Sequence, residues 1–506
     1  MSACAALAAC SSGSRGAVGG TSSAPQSGGN LVVARAADIT SLVPSIPTDN
    51  ASIWVLEEIY STLVVPSQDG KSLKPDLAKS WKQSADKLSW TFHLRPDARF
   101  SDGKPVTSAD VKFSIEQVMK PSSPNAFIDT AVSKVDTPDA HTVVIHTKTP
   151  WAALPADMGM YPNSIVPKGY GGKTQNEFSA HPIGSGPFKL DSWAKGSSLK
   201  LSKNPRYWDK KRPYVDRVTF TVVPDGNTRS TQLSSGQAQI DEYPPYSSAK
   251  ALKANPTLHL SAFPSSEVDY LAINNDHKPF GDIHVRKAIS QAINRKALLK
   301  AALYGYGSLA NAYLSPATWA HNAGLEGPTY DVHAAKVSLA KSSVPRGFST
   351  TISIASGDQV QATEAQLVQS DLGKVGIKVR IKTMDPAALV SAQEDQTYDM
   401  RFARYTTDIV DPSEIAAFAG VYSDAKTLWT GFKSAKMETL VNQANRVTDQ
   451  KQRKGYYDQM QAIIAKNVPY VTLYYAPALY AYTTKVHGFH PSATGNYTLE
   501  DVWLSK

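Results

Sequence analysis

The first regular pattern begins at Leu31, where LVVARAADITSLVPS opens with a β-branched apolar run of the kind a buried strand carries. From Asn50 to Tyr60 the period changes. Ile53, Trp54, Leu56, Ile59 and Tyr60 form an apolar stripe at helical spacing, with Asn50 placed to cap it. The segment LSWTFHL at 88–94 alternates, which puts Leu88, Trp90, Phe92 and Leu94 on one face of a half-exposed strand. Ser108-Ala109-Asp110 then starts a helix, VKFSIEQVMK. Strands that alternate with helices predict an α/β architecture, and 506 residues exceed what one hydrophobic core can serve, so two or more lobes are expected.

Composition narrows the picture by exclusion. With 42% hydrophobic and 19% charged residues the chain reads as ordinary globular protein. The net charge of +9 is scattered, in blocks no longer than Lys210-Lys211-Arg212, so it makes no nucleic-acid footprint. Cysteine occurs only at Cys4 and Cys10, which leaves the body without disulfides, thiol chemistry or cysteine-held zinc. No apolar stretch reaches the roughly 20 residues a membrane-spanning helix needs.

The first 30 residues differ from the rest. An apolar run ends at Cys10 and a Gly/Ser-rich tether follows. Leu7-Ala8-Ala9-Cys10 resembles the bacterial lipobox, whose cysteine is lipidated, although no Lys or Arg precedes it as a secretory leader would require.

Short catalytic signatures are missing: no HExxH, GxxxxGK[ST], GxSxG or CxxC occurs. His141 and His146 fall on opposite faces of a strand, and His487 and His490 sit among turn residues, so no metal site is expected. Gly184 and Gly186 before Pro187 read as turn geometry, and Asp282 reads as the cap of a helix starting near His284.

Residues 73–114, LKPDLAKSWKQSADKLSWTFHLRPDARFSDGKPVTSADVKFS, resemble the signature of the family 5 extracellular solute-binding proteins, the oligopeptide, dipeptide and nickel binders of ABC importers. The likeness continues through HPIGSGPF from His181, NPRYWDKKRPYVDRVTFTVVPD from Asn204 and LAINNDHKPFGDIHVRKAISQAINRKALL from Leu271. It implies a two-lobed, hinged periplasmic-binding-protein-like fold of type II. The first lobe would comprise 31–50, 181–266 and 482–506, its extra subdomain 51–180, and the second lobe 267–481.

The same resemblance implies a function without catalysis or cofactor. A monomeric, extracytoplasmic, lipid-anchored protein would capture a short peptide between its lobes and deliver it to an ABC permease and ATPase. The fold also serves oligosaccharides and metal chelates, or a sensor role. Tyr405, Asp408 and Asp411-Pro412 resemble the family's DxxDP-like segment, in which the first aspartate pairs with the peptide's α-ammonium. Asp408 is thereby the expected binding carboxylate, Tyr405 a flanking wall, and Asp411 a helix cap. Tyr270, Asn274 and Asn275 are further candidates, the amides for a peptide backbone, and Arg404 is suited to a carboxylate.

Overall fold

Asn30–Arg35 is a strand whose apolar run follows from its position. It lies between Arg217–Val222 and Ile240–Glu242, parallel to both, in a seven-stranded sheet. Leu31 and Val33 are fully buried there, as strands covered on both faces require. The structure, a computed structural model, describes residues 24–407, 409 and 411–506; the Cys10 motif lies outside them.

The helix Asn50–Ile59 packs on this sheet, although it falls within the 51–180 span. Ile53, Trp54, Leu56, Ile59 and Tyr60 share a core with Leu199, Leu201 and Phe220. Its cap is Asp49 rather than Asn50: the Asp49 carboxylate accepts from Ser52 N at 2.9 Å. The helix also explains Gly184 and Gly186, though not as turn residues. A Cβ on Gly184 would meet the Ile59 carbonyl oxygen at 2.0 Å, and Gly186 N donates to that oxygen at 2.9 Å. The glycines permit a backbone to lie against the end of the helix.

A six-stranded sheet is built from Val268–Ile273, Ser308–Leu309, Ser349–Ala355, Lys378–Met384, Met400–Tyr405 and Tyr470–Tyr475. Alternation divides its central strand. Leu271 and Ile273 enter a core with the helices Ile283–Ala292 and Gln359–Gly373, while Tyr270 and Ala272 enter another with Ala435–Asn445 and Gln450–Asn467. Asp282 caps the first of these helices as expected, accepting from His284 N at 2.8 Å.

A four-stranded sheet comprises Ala78–Gln83, Ser89–Leu94, Val132–Asp139 and Thr142–Thr147, covered by the helix Ser108–Val118. Trp90, Phe92 and Leu94 fill its core, but Leu88 lies before the strand and is 39% exposed. Among the described residues no helix is long and apolar enough to cross a membrane.

Candidate functional site

Two adjacent segments connect the seven-stranded sheet and the six-stranded one, running in opposite directions. Leu258–Phe263 continues through 264–267 into Val268–Ile273, and Tyr470–Tyr475 continues through 476–477 into Ala478–Thr483. The pairs Phe263–Ala478 and Asp269–Tyr474 hold the two crossings side by side. The tyrosine-rich run near 474–482 therefore marks the return to the first sheet, at 476–477. Ser266, on the first crossing, donates its N–H to Ala493 O at 2.6 Å and accepts at Oγ from Thr407 N at 3.0 Å. The crossing is thus tied to loops on both sides of the crevice it spans.

Charge collects where the crossing enters the six-stranded sheet. Asp269 and Arg404 are register partners on antiparallel strands, so their side chains share a face. Arg404 is exposed, yet groups from both sheets surround it. The nearby Glu267 carboxylate, followed by Asp269 and Asp358, holds its guanidinium firmly charged. Burial raises the carboxyl pKa values of Glu267 and Asp269, and Glu267 raises that of Asp269 further. One Asp269 oxygen is buried with no hydrogen-bond partner among the described residues. Glu364 is pushed up to about 8, chiefly by burial and then by Asp358, and it accepts from the Tyr474 hydroxyl.

The seven-stranded side contributes aromatic rings. Tyr243, at a φ of +52° and 38% exposed, stacks on Trp54 with centroids 5.5 Å apart and planes 16° apart. Behind it, Glu242 is paired with buried Arg35 at 2.7 Å. Tyr246 packs on Tyr306 of the other side at 6.0 Å. Burial, then the charge of Glu267, raises the pKa of the Tyr243 and Tyr246 hydroxyls. A guanidinium, several carboxyls and flat rings converging from both sides suit a small zwitterion that presents opposite charges and apolar surface.

Of the residues singled out from the sequence, Arg404 reaches this crevice. Tyr405 is half-buried, its ring 5.8 Å from that of Tyr270 and its hydroxyl donating to Tyr313 O. Tyr270 is buried, packs on Tyr470 at 5.0 Å and donates to Leu428 O at 3.4 Å. Both rings pack against other aromatic side chains. The amide nitrogens of Asn274 and Asn275 are also engaged, at the far end of the same strand. Asn274 donates to Gln396 O and Tyr398 O at 2.8 and 2.9 Å, and Asn275 to Ile273 O and Pro469 O at 2.8 and 2.9 Å. Neither amide nitrogen is left for a peptide backbone.

Asp408 lies outside the described residues. Asp411 is not the cap: the helix is Ser413–Gly420 and Pro412 holds its N-cap position. Asp411, one residue earlier, accepts from Ser413 N at 2.9 Å, while its two oxygens take Arg453 nitrogens at 2.6 Å each. Sequence reasoning missed Tyr243, Glu267 and Asp269. The available signal was Glu267-Val268-Asp269, two acids at the start of an otherwise apolar strand. Among the described residues no group of His, Cys, Asp and Glu could hold a metal ion.

Comparison with known proteins agrees with this architecture. The model of the bacterial extracellular solute-binding proteins, family 5 Middle, matches residues 72–425. The chain is 31% identical over 471 residues to the probable D,D-dipeptide-binding periplasmic protein DdpA of Escherichia coli K12, covering 91% of each chain. It is similar to DppA of Helicobacter pylori, an ABC transporter-associated periplasmic binding protein solved with the peptide STSA. That match has 29% identity and a TM-score of 0.83, over 95% of this chain and 99% of that one. AgaA from A. tumefaciens R10, solved with agropinic acid, matches at 28% identity and a TM-score of 0.81, over 94% of this chain and 99% of that one.

Proposed function

The chain belongs to the bacterial extracellular solute-binding proteins of family 5, binding proteins rather than enzymes, and on that premise we propose that it captures a short peptide in the crevice between its two large sheets. In this reading the first lobe is the seven-stranded sheet with 31–50, 181–266 and 482–506, extended by the helix Asn50–Ile59 that packs on it and the strand Ala478–Thr483 that belongs to it; the rest of 51–180 is its extra subdomain and the rest of 267–481 the second lobe. The crossings act as the hinge, because closure around a ligand is carried by a few residues at element ends. Lipidation at Cys10 would hold the protein outside the cytoplasmic membrane beside the permease that receives the solute.

The observation that carries the reading is the charge makeup of the crevice, with Arg404 set against Glu267 and Asp269 between tyrosines from both sides. A peptide with free ends carries both charges. Asp408 would take the α-ammonium and Arg404 the carboxylate, each in a charge-assisted hydrogen bond that a closed crevice strengthens. Reading termini and backbone leaves side-chain preference loose.

Mass spectrometry of the solute that copurifies with the protein tests the ligand class directly. A peptide is expected; a sugar-acid conjugate or a metal chelate would keep the binding role and overturn the peptide. Calorimetric titration tests the contact. Asp408→Asn should weaken trialanine binding by at least about tenfold, since breaking a buried charge pair costs about 2–5 kcal/mol before solvation softens it. N-acetyl trialanine should lose a similar factor against the parent, and the two changes should combine less than additively. Full additivity would remove Asp408 from the site.

A further inference from the structure

Thr407 and Asp411, which flank Asp408 in sequence, are each anchored. Thr407 N is held by Ser266 Oγ on the crossing at 3.0 Å, and Asp411 is held by Arg453 of the helix Gln450–Asn467 at 2.6 Å. Between these anchors, Ile409 turns to a different body. It is 5% exposed and packs in a small apolar cluster with Ile128, Ala156 and Met160, all from the 51–180 span, bordered by Leu73. Among the described residues Ile409 is the one second-lobe side chain in that cluster.

The surroundings show a contact between two bodies. Ala152 N donates to Asn445 O at 2.8 Å, and the rings of Phe127 and Phe418 lie 5.9 Å apart, each joining the 51–180 span to the other half. A crevice of about 320 Å³ runs beside the cluster, lined by Ala152, Pro155 and Ala156 on one side and Trp319, Asp411 and Arg453 on the other.

We infer that Ile409 is a positioning residue: the socket formed by Ile128, Ala156 and Met160 captures it when the lobes close, and the extra subdomain thereby holds the ligand-binding segment in its closed position. The mechanism is a population shift. A ligand that binds only the closed form has an apparent affinity reduced by the fraction of protein that is closed. Burial of an isoleucine side chain favours the closed fraction, because the apolar surface leaves water only in that form. The link to affinity rests on the peptide reading, whereas the link to closure does not.

The test combines scattering with titration on the full chain, using trialanine as the probe. Ile409→Ser and, from the opposite side, Ile128→Ser should each give a larger radius of gyration than the parent at a trialanine concentration that fills most of the parent's sites but only a minority of the weakened variants'. Each should weaken trialanine binding about tenfold, on the order expected for loss of one buried apolar side chain. The double variant should bind no worse than about the weaker single one, because both changes break one contact. Ile409→Val should restore most of the parent's affinity and radius, which a variant that merely misfolds would not explain. Should Ile409→Ser fail to fold, Ile128→Ser carries the same expectation alone. Variants with the parent's radius and affinity overturn the inference. If the parent does not bind trialanine, the peptide reading is at fault, and the radii of the unliganded parent and variants still decide the socket.

Discussion

Asp411 with Arg453 and Asp269 with Arg404 place the same two kinds of charged group in the same half of the molecule, in opposite conditions. Arg453 meets Asp411 through two nitrogens at 2.6 Å, donates to the Ala444 carbonyl and the Tyr457 hydroxyl, and lies 5.4 Å from the centre of the Trp319 ring. Burial alone would raise the Asp411 carboxyl, but the guanidinium overrides it and holds the group below the usual carboxylate range. Arg404 and Asp269 are register partners that do not come within ion-pair distance, and an Asp269 oxygen stays unpartnered among the described residues. The first pair is complete and works for the fold. The second leaves an Asp269 oxygen without a hydrogen-bond partner among the described residues, which under the proposed function a ligand would meet.

The largest effect expected from this contrast is on the complete pair. Arg453→Met strands the buried Asp411 carboxylate and should cost about 3–5 kcal/mol of stability, read as a fall in denaturation midpoint at neutral pH. The sign with pH follows from the lowered pKa. The stabilisation is present above the ordinary carboxylate range and is lost as pH falls below about 4. The variant should therefore lack this part of the parent's acid sensitivity. A variant as stable as the parent at pH 7 would place Asp411 and Arg453 among weak surface pairs and erase the comparison.

The crevice should respond to pH in the opposite direction. Glu364, raised to about 8 mainly by burial, binds its proton more tightly in the folded state than in the unfolded one. Its contribution is full below the unfolded value near 4 and is lost as pH rises through about 8, with a slope of at most about 1.4 kcal/mol per pH unit. Denaturation at intervals from pH 3 to 9 should show Glu364→Gln flattening this slope while leaving the loss below pH 4 unchanged. An unaltered slope would mean that Glu364 ionises freely in the folded protein.

The fold was legible wherever one face of an element is buried. The stripe of Ile53, Trp54, Leu56, Ile59 and Tyr60 and the alternation of Trp90, Phe92 and Leu94 appear in the structure because burial selects by period. Ends were less legible. Asp49 took the cap from Asn50 since its carboxylate, one residue earlier, reaches Ser52 N, and Leu88 fell before its strand. The site was harder still, because its members meet only through tertiary crossing. Tyr243 and Glu267 come from opposite ends of a helix and strand that close on each other, and nothing local distinguishes them. Asn274 looked free in a run of polar residues, but the chain from 396 to 398 returns to consume its amide.

The smallest predicted effect separates wall from packing. Tyr405 is adjacent to Arg404 in sequence, so the pleat sends the two side chains to opposite faces of the strand. Arg404 goes with Asp269 toward the crevice charges, while the Tyr405 ring goes with Tyr270 into the core shared with Tyr313 and Tyr470. Its hydroxyl donates to the Tyr313 carbonyl. Burial and the surrounding tyrosine hydroxyls keep the group neutral far above its ordinary range, so no charge effect is involved. Tyr405→Phe removes one hydrogen bond and keeps the ring, which should cost about 0.5–1.5 kcal/mol of stability and leave trialanine affinity within about twofold. Arg404→Gln, one position earlier, should do the reverse: affinity should fall about tenfold through the lost carboxylate contact, while stability changes little because the guanidinium is exposed. Paired measurement of melting temperature and calorimetric affinity on the two variants distinguishes the roles. A large affinity loss in Tyr405→Phe would put that hydroxyl against the ligand and require the crevice to extend to the other face of the strand.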